Sequence, residues 1–235
     1  MNQKELEELL INTFNISDSN TLYNLNIYYN MLVETSKVMN LTTIVELEES
    51  YIKHFYDSLL LSKSVDLTKD LTLADVGTGA GFPGLVLKIC YPNLNVTLIE
   101  PIGKRCKFLQ NVIDELGLKN IEVINQRAED YIKIARESFD VVTARAVASL
   151  NILMEICVPY VKKEGCFVAL KGASYLEETA NSTNAASKLK VKLVNKNLYN
   201  LPLNMGERAI LTYKKHDLTP DTYPRMYAKI KKNPL

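Results

Sequence analysis

Apolar residues in the first sixty positions recur at helical spacing. Leu6, Leu9, Leu10 and Phe14 form one set, and Leu22, Leu25, Tyr28, Tyr29, Leu32 and Val33 a second. Steps of three and four put each set on one helix face. Ser17-Asp18-Ser19-Asn20 offers a turn and a cap between them. A third helix is expected over residues 48–61, and no glycine precedes Gly77, which fits a compact helical lobe. From Leu71 the period changes. Short apolar runs at 71–76, 96–100, 121–125, 139–144 and 166–170 alternate with helical stretches at 83–90, 104–116 and 150–161. That alternation predicts parallel βαβ units with right-handed crossovers. Residues 190–195 and 209–213 form two late strands, and 173–187 an exposed helix or loop. The expected layout is a helical extension over residues 1–66 packed on an α/β domain over 67–235, whose mostly parallel seven-stranded sheet ends in an antiparallel hairpin.

Composition changes this picture little. The chain has 235 residues, 47% apolar and 23% charged, enough for one full domain plus a smaller addition. No apolar run approaches a membrane span, and the acidic start lacks a signal-peptide core. Four cysteines without a C-x-x-C pair fit a reduced, cytoplasmic location and no structural zinc or other metal site. Charge is more telling. Residues 1–70 carry 5 Lys against 11 Asp/Glu, residues 71–185 carry 12 Lys/Arg against 13, and residues 186–235 carry 11 against 3. The net charges are therefore −6, −1 and +8, and the basic end suits a polyanion, although a merely solvated surface would look similar.

The candidate chemistry begins at Leu73-Ala74-Asp75-Val76-Gly77-Thr78-Gly79-Ala80-Gly81-Phe82-Pro83-Gly84, a strand running through a glycine-rich turn into a helix. Glycine permits positive φ and close approach of a ligand to the backbone, and a helix start favours a negative group. Glu100 ends the next strand, where an acid accepts hydrogen bonds from ribose hydroxyls. No Lys-Ser or Lys-Thr closes the glycine run, which excludes a Walker loop. Asp75 at the mouth of the turn would repel a pyrophosphate and suits a cofactor with a cationic or amino-acid end, S-adenosylmethionine rather than NAD.

Methyl acceptors leave different marks. After the fourth strand, where exocyclic-amine methylation uses Asn/Asp-Pro-Pro-Tyr/Phe, stands Thr143-Ala144-Arg145-Ala146. Carbon-5 methylation needs a nucleophilic cysteine, and Cys157 reads as core. His54 and His216 form no obvious acid–base pair. The acceptor expected is one needing no deprotonation, such as a ring nitrogen like guanine N7. A small-molecule or protein methyltransferase leaves the basic end unexplained, and a dehydrogenase or a nucleotide-binding regulatory module are the readings outside this class.

Taken together, the motifs resemble those of the bacterial RsmG/GidB family, the 16S rRNA guanine-527 N7-methyltransferases. They are Asn40-Leu41-Thr42, His54-Phe55-Tyr56-Asp57-Ser58-Leu59, the Asp75–Gly84 loop, Gly103-Lys104-Arg105 before Phe108-Leu109, Arg127-Ala128-Glu129, Phe139-Asp140, Ala144-Arg145-Ala146, Leu170-Lys171-Gly172, Gly206-Glu207-Arg208, Pro224-Arg225 and Lys232-Asn233-Pro234-Leu235. Met226-Tyr227-Ala228-Lys229-Ile230 stands where family members often have a glycine, and 173–187 matches no known motif. The resemblance implies a Rossmann-like class I S-adenosylmethionine-dependent methyltransferase acting on 16S rRNA or the small ribosomal subunit, with no membrane and no metal partner.

It also implies site roles. Asp75, Gly77, Gly79, Gly81, Phe82, Glu100, Ala128, Glu129 and Arg145 would line the cofactor, with Ala128-Glu129 at the adenine and Arg145 between cofactor and entering base. Lys104, Arg127, Lys171 and Arg225 would meet RNA. Plainer accounts stand beside these: Glu129 as a helix N-terminal acid, Arg145 as an ion pair with Asp140, and Arg105 and Lys107 as a solvated helix face, the preferred account for those two. His54 is evenly balanced between a satisfied helix-side histidine and a functional group, and Asp57 would approach the cofactor's methionine end.

Overall fold

The computed structural model describes residues 1–16, 18–145 and 148–235. Its N-terminal helices form where the apolar spacing places them. Helix α1 (Gln3–Phe14) is closed by a capping box between Asn2 and Glu5 and buries Leu6, Leu10 and Phe14. Helix α2 (Ser19–Ser36) is capped by Asp18, whose carboxylate accepts from the Asn20 and Thr21 N–H groups. Ser17, the first residue of the expected turn, lies outside the described residues. The third helix is not uniform. It runs through α3 (Leu47–Ser50), a π-helical segment Tyr51–Tyr56, α4 (Asp57–Leu59) and a 3₁₀ turn Leu60–Lys63. A π segment offsets the residues beyond it, and such bulges recur at functional sites; here it carries His54.

The seven strands are β1 (Thr72–Val76), β2 (Asn95–Ile99), β3 (Ile121–Ile124), β4 (Phe139–Arg145), β5 (Val161–Lys171), β6 (Val191–Asn200) and β7 (Glu207–Lys215), in the order β3-β2-β1-β4-β5-β7-β6. All neighbours are parallel except β5–β7 and β6–β7. Helices α5 (Gly84–Cys90), α6 (Gly103–Glu115), α7 (Ala128–Ala135), α8 (Leu150–Cys157), α9 (Tyr175–Asn181) and α10 (Thr183–Lys188) cover the sheet, and α11 (Tyr227–Lys232) closes the chain. The helix expected over 150–161 stops early. Pro159 has no N–H to continue it, so Val158–Tyr160 is a 3₁₀ turn and β5 begins at Val161.

Alternate strand residues feed two cores, as a sheet buried on both faces requires. Leu73, Leu98, Val141, Val168 and Ile210 join Leu6, Leu25, Phe55, Leu85 and Leu109 on one side. Ala74, Ile99, Val142, Phe167 and Leu211 join Ile132, Met154, Leu189 and Ile230 on the other. Helices α1 and α2 thus share one core with α5 and α6. Strand order reverses between β1 and β4, and in open α/β sheets the crevice at such a switch point is where ligands bind.

Candidate active site

The loop after β1 supplies the floor of that crevice. Gly79 has φ +62° and a Cβ there would meet nothing within 4 Å, so its open side faces the cavity rather than protein. Its N–H donates to Glu100 Oε2 at 3.0 Å, and Glu100 Oε1 accepts from the Ile102 N–H at 2.9 Å. Glu100 is 2% exposed, held at the end of β2 with a second lone pair free on each oxygen. A cavity of about 440 Å³ opens here, lined by Gly77, Thr78, Gly79, Phe82, Glu100, Ile102 and Arg145 among others.

Arg145, the last residue of β4, crosses the top of the crevice. Its Nη1 donates to Lys53 O at 2.9 Å and to Asp57 Oδ2 at 3.1 Å, and its guanidinium lies 5.0 Å from the Phe82 ring centroid. Its Nη2 is 3.3 Å from His54 Nδ1. Arginine has only donors, so Nδ1 must accept and the proton sits on Nε2, which then donates to Thr42 Oγ1 at 3.1 Å. The imidazole also stacks on Phe82 at 4.2 Å. Burial, then the neighbouring Arg145 charge, push its pKa down to about 3. His54 is therefore a neutral, fixed tautomer in the wall.

Behind that wall lies a second cavity of about 340 Å³, lined by Lys53, His54, Asp57, Arg145, Lys171, Glu178 and Arg208 among others. Asp57 serves both arginines, because its Oδ1 also accepts from Arg208 Nε at 2.9 Å. Asp140, the acid expected beside Arg145, instead pairs with Lys162 and Thr72.

The profile of the GidB family, described as rRNA small subunit methyltransferase G, matches residues 21–204 of this sequence. The chain belongs to this family. Among curated GidB-family relatives, "Ribosomal RNA small subunit methyltransferase G" of Bacillus licheniformis is 47% identical over 210 residues, covering 88% of each chain. The Bacillus subtilis protein of the same name is 44% identical over 211 residues, covering 89% of this chain and 88% of its own. Among solved structures, M. jannaschii TYW2 in complex with AdoMet superposes with a TM-score of 0.53 at 15% identity, over 67% of this chain and 74% of that one. A 16S rRNA (adenine(1408)-N(1))-methyltransferase variant from Catenulisporales acidiphilia reaches 0.54 at 14%, over 64% and 87%. At those identities the likeness is one of fold, that of the Rossmann-like class I methyltransferases.

The GidB chain is thus an S-adenosylmethionine-dependent methyltransferase, and the residues at the crevice fit that cofactor: a buried acid for ribose hydroxyls, an open backbone at Gly79 and an aromatic face at Phe82. Asp75 and Gly81 are placed differently from the expectation. Asp75 is a brace, not a cofactor-facing acid. It is fully buried, and its Oδ2 accepts from Thr78 Oγ1 at 2.6 Å and the Gly84 N–H at 2.8 Å, while among the described residues Oδ1 has no partner. Gly81 packs backwards, since a Cβ there would lie 2.7 Å from the Tyr28 hydroxyl. Ala128 and Glu129 open α7 just after β3; Ala128 O accepts from the Tyr160 hydroxyl, and Glu129 stands 3.9 Å from Arg127. Ala146, next to Arg145 in the motif, lies outside the described residues.

The expected RNA cations divide similarly. Lys104 and Arg127 are exposed. Lys171 is 8% exposed and tied to Glu178 at 2.6 Å, and Arg225 is tied to Glu155, so neither is free for a phosphate as it stands. Arg105, set aside as a surface residue, lines the crevice cavity 3.8 Å from Glu100. Among the described residues no helix is long and apolar enough to cross a membrane, and no group of three or more His, Cys, Asp or Glu is placed to hold a metal ion.

Two outcomes follow for the loop. Gly79→Val should weaken S-adenosylmethionine binding at least about tenfold with the fold retained, because a branched side chain would enter the open side of a left-handed position. Unchanged affinity by calorimetry would place the cofactor elsewhere. Asp75 has its pKa raised to about 6, chiefly by burial, against the opposing pull of the Thr78 and Gly84 hydrogen bonds. A carboxyl raised in the folded state contributes stability that is present below its unfolded pKa of about 3.9 and is lost as pH rises through the folded value. Between pH 4 and pH 7 the wild type should therefore lose stability relative to Asp75→Asn. Denaturation midpoints that run parallel across this range would contradict that assignment.

Proposed function

We propose that this enzyme methylates N7 of guanine 527 in 16S rRNA, with the acceptor base entering the cavity beyond Arg145. The carrying observation is that, among the described residues, the histidine and carboxylates lining the acceptor cavity are already engaged and none stands free as a general base. His54 uses both ring nitrogens, both Asp57 oxygens accept from arginine, and Glu178 is paired with Lys171. Cys157 is fully buried and its thiol is pushed well above its ordinary range by burial, which removes it as a nucleophile. An acceptor with a lone pair already available suits such a site, and guanine N7 has one.

S-adenosylmethionine, when bound, supplies an electrophilic methyl group on a sulfonium. The protein's part is then orientation, the largest contribution open to it. Glu100 would hold the ribose, the Gly77–Gly79 backbone would meet the methionine portion, and Phe82 and His54 would form a flat wall. Arg145, fixed by Asp57 and the Lys53 carbonyl, would set the edge along which the base slides. Attack leaves positive charge on the purine, and the Asp57 carboxylate beside Arg145 offsets the guanidinium there.

An RNA acceptor is supported by the names of the relatives and by the +8 charge of residues 186–235. N7 lies in the deep groove of paired RNA, so recognition favours a splayed loop base. Arg225 is internally paired, whereas Lys229, Lys231 and Lys232 of α11 are exposed cations. Replacing these three with Ala should make the salt dependence of RNA binding shallower by up to about 0.7 per lost phosphate contact, with cofactor affinity intact. A slope equal to wild type would remove α11 from the interface.

The deciding experiment is chemical. RNA from a strain lacking the protein should lose aniline-induced cleavage at this one guanine after borohydride reduction, and the purified enzyme should restore it. Persistent cleavage, or a methyl mapped to N1 or N2, would refute the assignment.

A further inference from the structure

Arg208 belongs to two cavities. One is the proposed acceptor cavity, and the other is a cleft of about 280 Å³ lined by Tyr175, Leu198, Tyr199, Asn200, Glu207 and Arg208. Tyr199 on β6 is the direct cross-strand partner of Arg208 on β7, so the two side chains share one sheet face. Tyr175 opens α9 just beyond Gly172, and Lys196 Nζ lies 5.8 Å from its ring centroid. Both tyrosines are half-buried and line the cleft, Tyr175 beside the Lys196 ammonium and Tyr199 beside Arg208.

Cations crowd this junction. One carboxylate, Asp57, answers the guanidinium groups of both Arg145 and Arg208, and Glu207 lines the cleft beside Arg208. Arg208 uses Nε on Asp57 and Nη1 on Glu207 O, and among the described residues its Nη2 has no hydrogen-bond partner. The Gly206-Glu207-Arg208 motif had no role in the cofactor site, yet it delivers this guanidinium to the rim. Aromatic faces next to arginine and lysine are how proteins hold single-stranded nucleic acid, by stacking a base and pairing its phosphate.

We propose that the Tyr175–Tyr199–Arg208 cleft is a second nucleotide site, which stacks the base of a nucleotide next to the methylated one on Tyr175 and holds the intervening phosphate on Arg208. It rests on the reading of RNA as acceptor. The cleft would keep the target base splayed from its neighbour, so that both bases are read unstacked.

The chain contains no tryptophan, so Tyr175→Trp installs a single fluorescent reporter that keeps a stacking face. Titration with the RNA form that the wild type methylates should quench this indole. Tyr175→Ala should raise the RNA Kd about fivefold to fiftyfold, while Tyr175→Phe holds it within about twofold of wild type. Cofactor affinity should be unchanged in all three. Absence of quenching, or wild-type Kd in Tyr175→Ala while the wild type still methylates the RNA, would overturn the cleft and leave the acceptor reading standing. A wild-type enzyme that transfers methyl to no RNA would overturn both. If Tyr175→Ala fails to fold, the quenching experiment still decides.

Discussion

Arg145→Ala is expected to cut single-turnover methyl transfer by about a hundredfold or more while changing RNA affinity by less than about threefold. Arg145 is the partition between the two cavities, anchored at four places: the Lys53 carbonyl, Asp57, the His54 ring and the Phe82 face. Truncation removes the edge that orients the incoming base and frees the imidazole to turn. Most of the loss should therefore fall on the chemical step, where a misplacement of about 1 Å is costly. RNA affinity draws mainly on cations outside the crevice and should survive. Arg145→Lys keeps the charge but cannot make the same forked contacts, so it should recover only part of the rate. A rate within about threefold of wild type for Arg145→Ala would remove Arg145 from the reacting geometry.

Arg225→Ala should destabilise the protein by about 3 kcal/mol, a fall in Tm of roughly 6–12 °C. The carboxylate of Glu155 on α8 is wholly buried and accepts three bonds from one residue, from Arg225 N at 3.0 Å, Nε at 2.7 Å and Nη2 at 2.6 Å. Arg225 Nη2 also donates to Asn233 O, tying the end of the chain to the same point. Removing the guanidinium strands a buried charge. Adding Glu155→Gln in the same chain should recover much of the loss, because the stranded charge goes with it. If the double variant is as unstable as Arg225→Ala, the pair is not the source. RNA binding by Arg225→Ala measured well below its melting point should change little.

The sheet was legible in the sequence because short, mostly apolar runs alternate with helical stretches from Leu71 onward. Strand ends were less legible. β5 begins five residues before the expected start because Lys162, Lys163 and Glu164 interrupt the apolar signal while Pro159 ends the helix. Helix α7 was not among the helical stretches read from the sequence. The π segment at Tyr51–Tyr56 cannot be seen in a 3.6-residue period. In the candidate site, Gly79, Phe82, Glu100 and Arg145, singled out by motif and strand position, line one cavity. The role of Asp75 was not legible, because a strand-end acid facing a ligand and one bracing its own loop have the same sequence. The partners of Arg145 and Arg225 lie 88 and 70 positions away, beyond any local pattern. Arg208 was quoted within a motif, but only the register of β7 against β6 shows what it stands beside.

The Tyr28 hydroxyl donates to Ala80 O at 2.5 Å, and its ring packs on Phe55 and Phe82. Helix α2 therefore clasps the glycine loop from behind, the side a ligand never touches. The free energy with which that loop grips a ligand is then shared with the helices behind it, and loop and helices open as one cooperative unit. Amides in α2 are therefore expected to gain exchange protection when the crevice fills, and a chain trimmed to its sheet-bearing part is expected to lose the shape of the loop along with its helices.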